Sequence, residues 1–144
     1  MSGKNFILHR NTSLQSEIQN TKAVEYACAR FERDMEKALE VSSREGGTVI
    51  LRQKKLEPEA YEMEVSEDAV VIYGSNDRSF IYALNELSEK YLGILPFWFW
   101  NDQRIEGKAY VEIPLEHYSS EAHRIRYRGW FINDEVLISH WTAD

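Results

Sequence analysis

The order of the structural layers is decided by residues 61–93, which read YEMEVSEDAVVIYGSNDRSFIYALNELSEKYLG. Apolar residues alternate in the first part and, after a Ser-Glu-Asp turn, run on in the second, so residues 61–73 predict a β-hairpin. Residues 74–77 then break the strand and supply helix caps. The helix that follows keeps its apolar residues on one face and is predicted to end at Gly93. A hairpin followed at once by an amphipathic helix indicates a helix packed on a sheet.

A longer helix is predicted earlier in the chain, beginning at about residue 21, with Asn20 or Thr21 as its N-cap. Its apolar residues recur at intervals of three and four, and charged residues fill the opposite side. Gly46-Gly47 is expected to end that region. The strand that follows, at residues 48–51, is apolar enough to be covered on both faces. The other short strands are expected at residues 6–8 and 109–113, with a polar connector over residues 10–20.

The resulting order, β-α-β-β-β-α-β, predicts a two-layer α/β (α+β) sandwich in which two helices lie on one face of a mixed sheet. This domain is expected to cover residues 1–116. Residues 114–124 are polar and resemble a linker, and the stretch Arg126–Ile132 predicts one more strand, without a partner before the sequence stops. We therefore expect residues 117–144 to hold a linker and the first element of a truncated unit. Left alone, strand 126–132 would expose unpaired backbone groups and could pair with a second copy.

Composition restricts the classes of partner. The 144 residues include 24 acidic and 17 basic side chains, a formal charge of −7, which argues against nucleic acid or an anionic membrane as the main partner. A single cysteine excludes an intramolecular disulfide, and no apolar run approaches the ~20 residues of a membrane span. The four histidines lack metal-ligand spacing, so we expect neither metal nor cofactor. The sequence starts without a signal peptide, which leaves a cytoplasmic location, or a periplasmic or secreted one after signal removal.

The first candidate for chemistry is the strand-end sequence Asn133-Asp134-Glu135. Carboxylates just past an apolar strand suit the rim of a barrel active site, where they act as acid, base or hydroxyl ligands. The alternative is that Asp134 and Glu135 are ordinary turn residues, which is the more frequent case.

The second candidate is the aromatic run 97–100, followed by Asn101 and Asp102. Aromatic rings stack on the C–H faces of sugars, and flanking amide and carboxylate groups bind hydroxyls. Such rings can equally fill a core or a seam between domains, and the sequence leaves both interpretations open. Arg78, beside the turn 74–77, could hold an anion at a helix N-terminus, although a turn with ordinary caps is the more common arrangement.

Three segments, taken together, resemble glycoside hydrolase family 115, the xylan α-1,2-glucuronidases. Residues 74–83, GSNDRSFIYA, are similar to that family's Gly-Ser-Asp-x-Arg-Gly-x-Ile-Tyr-Gly. Residues 95–102, LPFWFWND, are similar to its Ser-Pro-Trp-Tyr-Trp-Trp-Ala-Asp. Residues 127–135, YRGWFINDE, are similar to its Tyr-Arg-Gly-x-Phe-Ile-Asn-Asp-Glu. The order and spacing of the three segments also agree with the family.

The resemblance implies an architecture and a set of site residues. Members begin with a small α/β sandwich, like the N-terminal domain of family 20 and family 67 glycoside hydrolases, and a (β/α)8 barrel follows. Asp134 and Glu135 would then end the first barrel strand and be the catalytic candidates. The implied substrate-binding residues, on the face that closes over the sugar pocket or at the strand end, are Arg78, Trp98, Trp100, Asp102 and Asn133.

The implied function is that of an accessory domain contributing one wall of the sugar pocket in an α-glucuronidase-like hydrolase. The partners would be a glucuronic acid-bearing oligosaccharide and a catalytic barrel. Most of the acid and base groups of an inverting mechanism would come from other barrel strands, so the 144 residues alone are expected to be inactive. The alternatives are a non-catalytic carbohydrate-binding module and a purely structural docking module.

Overall fold

Two helices lie on one face of a mixed sheet in the computed structural model, which describes residues 5–43, 46–121 and 123–129. This confirms the predicted two-layer α/β sandwich. The helices are α1 (Lys22–Ala38) and α2 (Asp77–Leu87). The strands are β1 (Phe6–Leu8), β2 (Ser13–Ser16), β3 (Thr48–Gln53), β4 (Tyr61–Val65), β5 (Ala69–Gly74), β6 (Val111–Ile113) and β7 (His117–Ser119).

The main sheet has five strands in the order β2-β3-β5-β4-β7. β3 is parallel to both β2 and β5, whereas β4 is antiparallel to β5 and β7. Helix α1 is the crossover between the parallel strands β2 and β3, as parallel pairing requires. β1 and β6 form a separate antiparallel pair at the edge of the core, with Phe6 opposite Ile113.

The core lies between the sheet and the two helices. Alternate residues of β3 and β5 point into it, because successive side chains of a strand face opposite sides. Thr48 and Ile50, on the other face of β3, are only half-buried, so the expected complete cover on both faces of this strand is wrong. The largest fully buried side chains include those of Phe6, Phe31, Met35, Leu51, Ile72, Phe80 and Leu84.

Both helices begin where their caps predict. The Thr21 hydroxyl accepts from the backbone N–H of Val24, and Asn76 Oδ1 accepts from that of Ser79. Helix α1 ends at Ala38, earlier than the Gly46-Gly47 pair suggests, because Leu39 becomes extended and bridges to Lys108. After α2 the chain makes one π-helical turn, Ser88–Leu92, and stops at Gly93, whose φ of 72° is the left-handed conformation typical of a helix end.

Two short polar strands were not expected. Residues 13–16, predicted as a connector, form the edge strand β2, and residues 117–119, predicted as a linker, form the edge strand β7. Both lack a strand's apolar alternation, because an edge strand with one solvated face is held chiefly by backbone pairing. The sheet therefore takes in residues beyond 116. Of the predicted strand 126–132, residues 126–129 are not in a strand, and the remainder lies outside the described residues.

Candidate functional site

The predicted site residues that the structure describes lie at the two ends of helix α2. Arg78 is in its first turn, whereas Trp98, Trp100 and Asp102 belong to the loop that follows its C-terminal end. The groove around Arg78 and the cleft around Trp98 share no lining residue. The structure therefore does not bring Arg78 together with the aromatic residues.

At the N-terminal end of α2, a nearly buried carboxylate joins two arginines. Glu59 is only 8% exposed, and its Oε1 accepts from Arg78 Nη1 at 2.6 Å. Its Oε2 accepts from Arg128, whose guanidinium also donates to the Tyr82 hydroxyl at 3.3 Å. We call Glu59, Arg78, Tyr82 and Arg128 the Glu59 cluster.

The charges of the Glu59 cluster largely satisfy one another. Hydrogen bonds from Arg78 and then Arg128 lower the pKa of the Glu59 carboxyl, so it is ionised at neutral pH and unsuited to act as an acid. The pKa of Arg78 is raised, chiefly by its hydrogen bond to Glu59. The Arg78 side chain is still 65% exposed, so its remaining N–H donors face solvent.

Local sequence explains how the Glu59 cluster is positioned. Glu59 lies just before β4 with a φ of 69°, a left-handed conformation that a non-glycine residue seldom adopts. Arg78 is fixed by the cap of α2, where Asn76 Oδ1 accepts from both the N–H and the hydroxyl of Ser79. The Ser75 N–H donates to the Ser79 hydroxyl. The donors of Ser75 and Ser79 are thus occupied, as in an ordinary capped turn.

At the other end of α2, a cleft of about 360 Å³ lies between α1 and the loop 94–99. We call it the aromatic cleft. Phe97 stacks on Trp100 with ring centroids 5.1 Å apart and planes at 16°. Phe99 and Trp100 are 56% and 65% exposed, so the aromatic run does not fill the core. Residues 94–99 line one side of the aromatic cleft. The rest of the cleft lining comes from Arg30, Arg33, Asp34, Lys37, Asn85 and Ser88.

The cleft has a buried polar floor and a cationic rim. Asp34 is buried and its Oδ2 accepts from the Ser88 hydroxyl at 2.8 Å. Burial raises the pKa of the Asp34 carboxyl, and it lowers the pKa of Arg30, which donates to the Asn85 side chain. Lys37 lies over the Trp98 ring, with Nζ 4.7 Å from the centroid.

Within residues 5–43, 46–121 and 123–129, no group of three histidine, cysteine, aspartate or glutamate side chains is placed to hold a metal ion. No helix in these ranges combines the length and apolar character that crossing a bilayer requires.

The catalytic candidates Asp134 and Glu135, with Asn133, lie outside the described residues. Sequence reasoning missed Glu59 and Arg128, because their pairing joins residues 69 positions apart. It also missed the cations of the aromatic cleft, although a signal was available. Arg30, Arg33 and Lys37 are spaced three and four apart, which places them on one side of a helix in an otherwise acidic chain.

The N-terminal part of the chain matches a known protein family. Residues 1–89 match the family described as Glycosyl hydrolase family 20, domain 2. The chain belongs to this family. No curated protein sequence matches it significantly. As a family 20 domain 2, it is an accessory domain of glycoside hydrolases, which are carbohydrate-processing enzymes.

Solved structures of such enzymes contain the same fold as this domain 2. A family GH115 4-O-methyl-α-glucuronidase with specificity for decorated arabinogalactans superposes with a TM-score of 0.64 at 16% identity, covering 81% of this chain and 18% of that one. A GH20 exo-β-N-acetylglucosaminidase from Vibrio harveyi gives 0.58 at 20% identity, covering 88% and 18%. The chitobiase of Flavobacterium johnsoniae gives 0.61 at 14% identity, covering 90% and 20%. The chain thus spans about a fifth of the length of each enzyme.

Proposed function

We propose that this accessory domain is part of an α-glucuronidase-like glycoside hydrolase. The end of the domain that carries the Glu59 cluster forms one wall of the sugar pocket. Domains of this fold occur in both a GH115 and GH20 enzymes, so the fold is compatible with either specificity. The residues at the N-terminal end of α2 favour the glucuronidase specificity.

The observation that carries the proposal is the junction made by Glu59. Arg78 and Tyr82 belong to the first of the three glucuronidase-like segments, and Arg128 belongs to the third. Glu59 binds both arginines, and Arg128 reaches Tyr82 as well. Two segments that are far apart in sequence therefore meet at one end of the domain, as expected if both face the same pocket.

The length of the chain is compatible with a role for Asn133, Asp134 and Glu135 at that end. Asp134 follows Arg128 by six residues, and an extended chain spans at most about 3.5 Å per residue. The Cα atom of Asp134 can therefore lie no farther than about 21 Å from that of Arg128. In this proposal Asp134 and Glu135 supply carboxylates at the pocket, and an inverting mechanism needs a second carboxyl group separated by room for a water.

Arg78 is proposed to bind the carboxylate of the sugar. One side of its guanidinium is fixed by Glu59, and the exposed remainder borders an open groove of about 470 Å³ that His123 and Tyr127 also line. A guanidinium held in place by a buried carboxylate loses little freedom on binding a second one. N-acetylglucosamine carries no charge, so an arginine in this position favours a uronic acid instead.

The test compares substrates on a polypeptide that carries this domain joined to its catalytic body. We expect release of glucuronic acid from α-1,2-linked glucuronoxylo-oligosaccharides and no release of N-acetylglucosamine from chitobiose. Arg78→Ala should lower kcat/KM about tenfold or more, since a charge-assisted hydrogen bond is lost. The exposed Arg104→Ala is the matched control and should leave it unchanged. Release of N-acetylglucosamine alone, or equal activity of the two variants, would overturn the proposal.

A second measurement uses the 144-residue chain by itself. Because a pocket of this kind draws its groups from several elements, we expect no hydrolysis of aldouronic acids by the purified chain. Clear turnover would contradict the accessory role.

A further inference from the structure

We infer that the aromatic cleft is a second carbohydrate site, which binds an acidic saccharide through a carboxylate on a sugar ring. This site is separate from the proposed pocket wall, because it lies at the opposite end of α2 and shares no lining residue with the groove at Arg78. The inference therefore does not rest on the proposed activity.

The charge of the cleft favours an anion. Its lining includes three cationic side chains, Arg30, Arg33 and Lys37, against one carboxylate, Asp34. Asp34 is buried, accepts a hydrogen bond from Ser88 and interacts with all three cations, but one carboxylate offsets only part of their charge. A net positive cleft on a chain of formal charge −7 is a local exception that attracts negatively charged ligands.

The two outer cations of the cleft can reach a ligand, although Lys37 also contacts the Trp98 ring. Arg33 and Lys37 are both exposed, and neither forms an ion pair with any residue in the ranges that the structure describes. They lie one helical turn apart on α1, since four residues separate them. Two neighbouring donors with this spacing can both reach one carboxylate.

The other wall of the cleft is suited to a sugar ring and not to a bare anion. Residues 94–99 supply an isoleucine, a leucine, a proline and three aromatic side chains. Aromatic faces pack against the C–H face of a pyranose, and the polar groups opposite determine its orientation. The volume of about 360 Å³ is within the range of small-molecule sites, roughly 300–1,000 Å³, and accommodates one or two sugar rings.

The loop that carries this wall is held in place before any ligand binds. The Gln103 side chain donates to the Gly93 carbonyl at 2.7 Å and accepts from the Leu95 N–H at 3.1 Å, which closes the base of the loop. Lys37 holds Trp98 against α1 through its contact with the ring face. A preformed wall lowers the entropic cost of binding.

The experiment is calorimetric titration of the 144-residue chain with methyl β-D-glucuronide, methyl β-D-glucoside and acetate. We expect the glucuronide to bind at least about tenfold more tightly than the neutral glucoside, because only the former carries the carboxylate. Acetate, which has the charge without the ring, should bind at least about tenfold more weakly than the glucuronide. Aldotetraouronic acid in place of the monosaccharide distinguishes a single-ring site from an oligosaccharide site, with tighter binding expected.

Variants locate the binding on the cleft. Arg33→Ala combined with Lys37→Ala should weaken glucuronide binding about tenfold or more. Lys22→Ala on the same helix, combined with Arg104→Ala, removes the same charge outside the cleft and should leave binding unchanged. Circular dichroism and thermal melting verify that both double variants are folded.

Three results would overturn the inference. They are equal affinity for glucuronide and glucoside, glucuronide binding that survives the Arg33 and Lys37 double substitution, and no detectable binding of any saccharide. The last would mean that the cleft is covered by protein and not by sugar.

Discussion

The two ends of helix α2 carry similar residue types arranged in opposite ways. In the Glu59 cluster, two arginines converge on one carboxylate, so their charge is mostly used inside the protein. In the aromatic cleft, the one carboxylate is bound to Ser88, and Arg33 and Lys37 remain on the rim. The Glu59 cluster joins two segments of the chain and leaves only the exposed side of Arg78 for a ligand. The aromatic cleft instead presents two exposed cations, Arg33 and Lys37, beside aromatic rings.

The largest expected effect on stability comes from helix α2 itself, which connects the Glu59 cluster with the aromatic cleft. Leu84 is fully buried in the middle of α2. Leu84→Ala should lower the free energy of unfolding by about 2–5 kcal/mol, because a core cavity is left behind. Urea denaturation measures the change. Ile81→Ala, on the half-buried side of the same helix, is the control and should cost less. Equal losses would show that α2 is not the common support.

The next effect isolates the floor of the aromatic cleft. Asp34→Asn keeps an acceptor for the Ser88 hydroxyl, whereas Asp34→Ala leaves that buried group unpaired. We expect the alanine variant to be about 1–3 kcal/mol less stable than the asparagine variant at neutral pH. Thermal or urea unfolding of the two proteins provides the measurement.

The same pair of variants has a defined pH dependence. The folded pKa of Asp34 is raised by burial, so its contribution to stability is full below the ordinary pKa and is lost as pH rises through the raised value. Asp34→Asn should therefore remove a decline in stability with rising pH. A wild-type profile that rises with pH in this range, and that the asparagine substitution flattens, would contradict the assignment.

The Glu59 cluster should give a smaller effect of opposite sign. Because the folded pKa of Glu59 is lowered by Arg78 and Arg128, its contribution is full above the ordinary pKa and is lost as pH falls through the folded value. Glu59→Gln should flatten the acid side of the stability profile. It should also speed proteolytic cleavage near Arg128, where one anchor of the segment is weakened.

The matched control for Glu59 is Glu57→Gln, an exposed neighbour. It should change neither the acid profile nor the cleavage rate. The cluster would lose its assigned role if both substitutions gave the same profile, or if cleavage near Arg128 were as slow in Glu59→Gln as in wild type.

The smallest effect concerns the contact between Lys37 and Trp98. Lys37→Gln removes the cation from the ring face of the half-buried Trp98 and should cost about 0.5–1 kcal/mol. A shift in tryptophan fluorescence should accompany the loss. Lys22→Gln, at the start of the same helix, should leave the spectrum unchanged. An identical spectrum for the two variants would show that Lys37 does not hold the aromatic loop.

Local patterns predicted the secondary structure where the signal was local. The caps at Thr21 and Asn76 and the helix end at Gly93 follow from neighbouring residues alone, and each is present. Strands β2 and β7 escaped prediction because their side chains are mostly polar and their stability comes from pairing with distant strands.

The candidate site was predicted less completely, for a physical reason. Arg78 and the aromatic run were recognisable as residue types, but which end of α2 each occupies depends on the folded path of the chain. Glu59 acquires its role from a left-handed turn and from partners 19 and 69 positions away, which no local pattern encodes. The family relation rests on the first 89 residues, whereas the resemblance to glucuronidases rests on residues 74–135, so the two sources of inference overlap only at α2.

The most direct test of the contrast between the two ends is a two-dimensional ¹H–¹⁵N NMR titration of the chain with methyl β-D-glucuronide. The account predicts that the amide shifts of residues 30–37 and 94–99 change most, while those of residues 57–59 and 76–82 change much less, because the proposed pocket at Arg78 is incomplete without the catalytic body. Shifts confined to the Glu59 cluster, or spread equally over both ends, would contradict it.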